Sequence, residues 1–334
     1  MRQLVTKRVV RELVPIEGAD VIELAKVDGW QCVVKKGEFQ TGEAALYFEI
    51  DSMIPADDAR FSFLSKGKKV ERYRIKSMKL RGALSQGLLI PMSNLTNEER
   101  MRIFDGEPPT EVLRVEKYEP TMPMGGKQAG SFPTHLVPKT DQERIQNTVA
   151  TLSGRSSREF EITEKLDGTS CTMFYQLINA EEPLAAKMGV CSRNWEMSIE
   201  DESLYSRVFL DNKMPTKFVE LGRGIAIQGE VIGPGIQSNK YKLERQTFFV
   251  FDIYDIGEQR YLSPQERMEV SQQLGLRHVP VLDIEMPFTL QGVLDAADGR
   301  SVLHDTAREG LVFKSHKDGV SFKAISNKWL LKNE

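Results

Sequence analysis

Apolar and polar residues alternate through much of the first hundred positions with the period of two that strands impose. "VIELAKV" and "WQCVV" flank Asp28-Gly29, a dipeptide suited to the two-residue hairpin turn whose central positions need positive φ. "EAALYFEI" repeats the alternation, and "YRIKSMKLRGALSQGLLIP" continues it in strand-length pieces punctuated by Gly82 and Gly87. Four or five short strands with little helix in about 90 residues predict a small β-barrel.

The pattern changes at Tyr118. "YEPTMPMGGKQAGSFPTHLVP" carries four prolines and three glycines but little aliphatic content, which predicts a linker or mobile loop. Its "GGKQAG" has neither the preceding apolar strand nor the GK[ST] ending of a phosphate-cradling loop. Immediately afterwards Thr140 and Glu143 have capping-box spacing, and Ile145, Val149 and Leu152 recur at helical spacing, so a helix is expected to open a second domain. The remainder mixes strands ("REFEIT", "CTMFYQL", "GIAIQGEVI", "TFFVFDIYDI", "EGLVFKS") with helices such as "SPQERMEVSQQLG", where Ser263 and Glu266 form a box and Gly275 is the stop. Without a regular βαβ repeat this reads as α+β with mixed or antiparallel sheets. Strand alternation in "FFVFDIYD" puts Phe249, Phe251 and Ile253 on one face. The expected division is a barrel over 1–100, a linker or mobile segment over 101–138 and a second domain over 139–334.

Length agrees, since 334 residues exceed one ordinary core. No apolar run approaches the roughly 20 residues that span a bilayer, and "MRQLVTKRVVRELVP" lacks a signal-peptide core, so a cytoplasmic protein without membrane contact is expected. Cys32, Cys171 and Cys191 are scattered, and the four histidines lack metal spacing, which argues for buried free thiols over a disulfide or structural zinc. Net charge is only −3, but Lys66 to Arg81, "KGKKVERYRIKSMKLR", holds eight bases against Glu71. A local field of this sign attracts polyanions. It suits an OB-like barrel, which binds nucleic acid on an exposed strand face, although the pattern itself fits an SH3-like barrel equally. Lys76, Lys79 and Arg81 are the candidate contacts. A solvated, lysine-protected strand face is the plainer account of the same charges.

Residues 164 to 170, "EKLDGTS", place Lys165 at the end of a strand beside an Asp167-Gly168 corner. Most lysines so placed are simply solvated. A nucleophilic lysine must be neutral, and at a pKa near 10.4 only about one in a thousand is neutral at pH 7.4. Lowering that pKa by about 3 units takes roughly 4 kcal/mol of desolvation or neighbouring positive charge, so a nucleophilic role predicts other cations and a metal ion nearby. Other strand ends supply Arg193, Glu230 in "IQGEVIG", Phe251, Glu309 and Lys314 in "REGLVFKS", and Lys323 in "GVSFKAISNK".

That ordered series resembles the covalent nucleotidyltransferase superfamily, which contains ATP-dependent DNA and RNA ligases and mRNA capping enzymes. "EKLDG" is similar to its KxDG motif, and "SRN", "QGE", "FVFDIY", "EGLVFK" and "SFKAISNK" follow in order over roughly residues 160 to 330. KxDG alone is weak; six motifs in order are specific. The resemblance implies an ATP-grasp-like ligase domain in which Lys165 attacks the α-phosphate of ATP, expels pyrophosphate and holds AMP. Lys314 and Lys323 would bind that phosphate and help keep Lys165 neutral. Asp167 and Glu309 would hold a hydrated Mg²⁺ or Mn²⁺. Glu164, Gly168, Arg193 and Glu230 would complete the ATP site, with Phe251 stacked on adenine.

Only eleven residues follow Lys323, too few for the OB domain that capping enzymes and DNA ligases of the superfamily carry there. The barrel lies upstream, which resembles a clade of RNA ligases with an N-terminal OB domain. "VDGWQCVV", "KLRGALSQGL" and "FPTHLVPKTDQERIQN" resemble that clade too. Two positions depart from the pattern. Ser170 stands where other ligases often carry Asn or Arg, and Ile325 stands where many have a second lysine, leaving Lys328 as a lesser candidate. The implied activity is that of a monomeric, ATP-dependent RNA ligase joining 3′-OH to 5′-phosphate ends at nicks in RNA-containing duplexes. The alternatives are a DNA ligase, a guanylyltransferase and a non-catalytic RNA-binding protein. Deleting residues 1 to about 100 should impair strand sealing more than adenylylation of the protein; equal loss of both would overturn that division of labour.

Overall fold

The computed structural model describes residues 3–65, 67, 70–119, 126–178 and 186–333. Two compact units divide the chain. The first comprises 1–121 together with 327–334, and the second 122–326. The boundary therefore falls inside the Pro/Gly-rich segment, and the last helix belongs to the first unit. Residues 120–125 of that segment lie outside the described residues.

In the first unit β1 (Val5–Val9) pairs with β5 (Ala44–Phe48), while β2 (Glu12–Pro15), β3 (Ile22–Val27) and β4 (Trp30–Lys35) form a meander. The β3–β4 turn has Asp28 at φ 46° and Gly29 at φ 85°, the left-handed pair its sequence predicts. Strands β6 (Ser52–Pro55) and β7 (Arg72–Arg74) are adjacent, β8 (Ser77–Leu80) and β9 (Ala83–Gln86) form a hairpin, and β10 (Leu88–Pro91) completes the β5 sheet. Helix α1 (Asn97–Phe104) is capped by Thr96 and Glu99; α2 (Pro109–Val112) and β11 (Glu116–Lys117) follow, β11 pairing with β6. Strand β5 is covered on both faces. Leu46 and Phe48 join Ile54, Phe61 and Ile90, while Tyr47 packs with Trp30, Val27 and Leu89. The more numerous, shorter strands still make the expected β unit.

The basic stretch is less exposed as charge than its composition suggests. Arg72 reaches Glu116 at 2.5 Å, and Arg74 pairs with Asp51 at 2.6 Å and lies over the Tyr118 ring at 3.6 Å. Lys76, Lys79 and Arg81 are exposed, with Arg81 held at φ 48° in the β8–β9 turn. Lys66, Lys68 and Lys69 lie outside the described residues.

The second unit holds two sheets. The larger runs β12 (Gln128–Ser131), β17 (Trp195–Met197), β16 (Ala186–Cys191), β15 (Thr169–Leu177), β18 (Ile225–Ile232), β19 (Thr247–Asp255) and β20 (Arg260–Tyr261), with β21 (Arg277–His278) parallel to β19. The smaller runs β13 (Glu143–Arg144), β23 (Ser321–Ile325), β22 (Gly310–Ser315) and β14 (Phe160–Lys165). Helices α3 (Leu204–Asp211), α4 (Met214–Leu221) and α5 (Pro264–Gln273) accompany the larger sheet's core, and α6 (Leu290–Ala297) the smaller one's. Ser263 and Glu266 cap α5 reciprocally, and Gly275 follows it at φ 58°. Helix α7 (Asn327–Asn333) packs in the first unit, where Gln86 donates to Asn327 at 3.1 Å and Leu330 is buried. Among the described residues no helix is long and apolar enough to cross a membrane. All three cysteines are buried and free.

The expected linker over 101–138 instead carries the end of α1, α2, β11 and β12, and two further expectations fail for identifiable reasons. No helix forms over 140–152. Glu143 and Arg144 instead extend the small sheet as β13, parallel to β23, and two 3₁₀ turns follow. Glu143 accepts from Asn147 at 3.1 Å; Ile145 and Leu152 enter the core, but Val149 is exposed. Sheet pairing outweighed a short helical period. The second failure is in β19, where Gln228 pairs with Asp252 and Gly229 with Val250, making Phe251 the extra residue of a bulge. Phe249 and Phe251 stay on one side, while Ile253 joins Phe248 and Val250 in the opposite core. A Cβ on Gly229 would lie 2.3 Å from the Phe249 carbonyl oxygen and 2.4 Å from the Phe248 ring. Gly229→Ala should therefore cost about 1–3 kcal/mol, lowering the melting temperature by roughly 2–4 °C per kcal/mol; an unchanged thermal melt would show that the bulge has room.

Candidate active site

The antiparallel ladder of β14 and β22 sets Lys165 opposite Gly310, so Glu309 arrives beside it from a segment distant in sequence. Lys165 Nζ donates to both Glu309 oxygens, at 2.8 Å each. From Lys165 the chain crosses to the larger sheet through Leu166, Asp167 and Gly168. Leu166 is anchored among Ile232, Phe249 and Val279. The Asp167 N–H donates to the Tyr241 hydroxyl at 2.8 Å, and its carboxylate pairs with Lys240 at 2.5 Å. Gly168 is needed for close approach: a Cβ there would lie 2.3 Å from the Val231 carbonyl oxygen.

Strand β18 brings Glu230, paired in register with Ser170. Burial pushes Glu230 up to about 8; Glu309 and Asp167 add to that push, and Lys165 and Arg193 oppose it. Glu309 is also raised, by burial, against the pull of Lys165. For Lys165 burial pulls downward, but Glu309, Glu230 and Asp167 outweigh it and its pKa is raised. Lys165 is thus held as an ammonium by its carboxylate neighbours. Three carboxylates surround it, and Lys314 is committed elsewhere: its Nζ lies 2.9 Å from Asp252 Oδ1 and donates to the Phe251 carbonyl.

Burial lowers Lys314, and it lowers Lys323 to about 8, where Lys165 and Arg144 act in the same direction against Asp141. Asp141 bridges two cations, 3.3 Å from Lys323 Nζ and 3.4 Å from an Arg193 nitrogen. Glu164 accepts the Val302 N–H on Oε2 at 3.0 Å; its Oε1 is buried without a hydrogen-bond partner among the described residues, and burial raises its pKa.

These groups line one open cleft. Its walls carry Glu164, Lys165, Ser170, Arg193, Glu230, Phe251, Lys314 and Lys323. Asp167 and Glu309 reach it through their contacts with the groups around Lys165. The structure thus brings the predicted motif residues of the second unit together, while Lys328 lies on α7 in the first. Sequence reasoning missed Asp141, Lys240, Tyr241 and Asp252. Asp252 did carry a signal, as an acid within the most apolar strand; Lys240 and Tyr241 sit in a loop without periodicity.

Residues 4–92 match a model of an OB-fold domain, and residues 158–325 match the RNA ligase family model. Among solved structures the chain is similar to Naegleria gruberi RNA ligase with PPi, at 41% identity over 99% of both chains and a TM-score of 0.83. Mutants of that ligase solved with ATP and Mn, and with AMP and Mn, are 40% identical, each with a TM-score of 0.83, over 98% and 99% of both chains respectively. A search of curated proteins finds no match.

The Glu230 environment sets a pH dependence. Its folded pKa, about 8, exceeds the ordinary 4.5, so between these values the folded chain binds more protons than the unfolded one, and stability falls as pH rises through that window. Glu230→Gln should raise the melting temperature of metal-free protein at pH 8.5 and lose that advantage toward pH 5. A gain independent of pH would contradict the assignment.

Proposed function

Because the chain belongs to the RNA ligase family, we propose that its cleft activates ATP through Lys165 and that the enzyme seals 3′-OH to 5′-phosphate RNA ends, chiefly at nicks in duplexes. The observation that carries the reading is the convergence of Lys165, Glu309, Lys314 and Lys323 with Glu164, Glu230 and Phe251 on one cleft.

ATP fits the wall chemistry. Phe251 offers a ring face for adenine. The unpaired Oε1 of Glu164 would accept a hydrogen bond from the exocyclic amine, which favours adenine over guanine because guanine has a carbonyl at the corresponding position. Lys314 and Lys323 would hold the α-phosphate, and Arg193 and Glu230 the ribose side. Hard carboxylate oxygens are the donor set that Mg²⁺ or Mn²⁺ prefers. Burial raises the pKa of Glu230 and Glu309, and a bound cation would favour their charged forms. Asp167 and Glu309 would hold it. A divalent ion bound there would neutralise phosphate charge and compete with Lys165 for Glu309.

Lys165 in the present arrangement is an ammonium held by Glu309. Once relieved of that partner and its proton, it would attack the α-phosphorus: an N–P bond forms, the P–O bond to pyrophosphate breaks, and AMP stays on the lysine. AMP then passes to the RNA 5′-phosphate, and the 3′-OH displaces it. The first unit would hold the duplex through phosphates, with Lys76, Lys79 and Arg81 as the contacts, so its binding should weaken steeply with salt. We place the enzyme in the cytosol as a monomer.

Sealing of nicked duplexes that differ only in the nucleotides at the 3′-OH end tests the reading, with Lys165→Ala as the blank. Sealing is expected with ribonucleotides there and to fall by at least about tenfold, roughly 1.4 kcal/mol, with deoxyribonucleotides. Equal sealing of all-DNA nicks would move the assignment to a DNA or dual-specificity ligase, and an ATP adduct on Lys165→Ala would remove the nucleophile.

A further inference from the structure

Around Lys314 lies a buried charge network whose other members the adenylylation chemistry described above does not use. Arg267, on α5, has a side chain only 1% exposed. It donates to Glu161 Oε2, lies 3.6 Å from Asp252 Oδ1, and donates through Nε to His278 Nε2 at 2.9 Å. His278 Nδ1 is 2.6 Å from the Val279 carbonyl oxygen. A carbonyl can only accept, so the proton sits on Nδ1, and the imidazole is neutral with Nε2 free to accept from Arg267. The network therefore holds two acids and one cation before Lys314 is counted.

Lys314 is the second cation. It shares Asp252 Oδ1 with Arg267 and stands directly opposite Glu161 in the β14–β22 register. Without the guanidinium, two buried acids would compete for one ammonium, and the nearer geometry would draw Lys314 Nζ down between them, away from the cleft. Arg267 holds Glu161 Oε2 and shares Asp252 Oδ1, while Lys314 keeps that same Asp252 oxygen and the Phe251 carbonyl. A guanidinium suits this task because its planar fork serves several acceptors at once.

We propose that Arg267 is a positioning residue for self-adenylylation, holding Glu161 and sharing Asp252 so that Lys314 stays at the phosphate position. The inference rests on the reading of Lys314 as an α-phosphate ligand. It predicts that Glu161 becomes harmful once Arg267 is gone.

Single-turnover adduct formation with labelled ATP, expressed per folded molecule and at saturating ATP, tests it in Arg267→Met, Arg267→Lys, Glu161→Gln/Arg267→Met and Lys314→Ala. Arg267→Met should slow the step by at least about tenfold, as expected for a misplaced catalytic contact, and Glu161→Gln should restore the rate to within about threefold of wild type. If the methionine variant does not fold, Arg267→Lys, which keeps a charge but loses the fork, takes its place with and without Glu161→Gln. A wild-type rate in the folded single variant, or a loss that Glu161→Gln leaves unchanged, overturns the positioning role. Fast adduct formation by Lys314→Ala would instead remove the phosphate role of Lys314 itself.

Discussion

The antiparallel pairing of β14 with β22 is the constraint on which the cleft depends. One register sets Lys165 opposite Gly310 and Glu161 opposite Lys314. The first pairing brings Glu309 to the nucleophile; the second puts a phosphate-binding cation beside an acid that has to be neutralised from elsewhere. A slip of one residue would exchange the two faces of β14 and bury the wrong charges. The backbone hydrogen bonds of two strands thus fix which side chains meet, and the larger sheet supplies what completes the cleft: Glu230 from β18, and Phe251 from the bulge in β19.

Charge is concentrated here against the usual preference for solvation. Buried acids and lysines with shifted pKa values cluster where chemistry needs them, and several are held by partners that substrates would have to replace. Glu309 holds Lys165, Lys240 holds Asp167, and Asp141 holds both Lys323 and Arg193. These pairings offset part of the cost of burial, and a polyanion with its counter-ions finds groups of both signs already in place.

Much of this was legible in the sequence because strand ends advertise themselves. Lys165, Glu230, Glu309 and Lys314 each stand at or next to the end of an apolar run or in a glycine-flanked turn, and the Asp28-Gly29 hairpin and the α5 cap are local signals that tertiary structure left alone. What escaped was non-local. Whether 140–152 forms a helix depended on β23, which lies some 180 residues later and captures Glu143 and Arg144 as a strand. The alternation in "FFVFDIYD" broke because a bulge is a property of two paired strands and cannot be read from one. Motif order, likewise, reveals which charges meet but not which pairs form, as with Lys165 and Glu309.

The last helix gives the first unit a discontinuous sequence. Gln86 and the β8–β9 hairpin contact residues from Asn327 onward, whereas residues 122–326 form the second unit without a break. A chain emerging in order from the ribosome can complete the second unit before the first, although the first begins to appear earlier. Strands β8 and β9 therefore meet α7 only after the whole second unit has been synthesised.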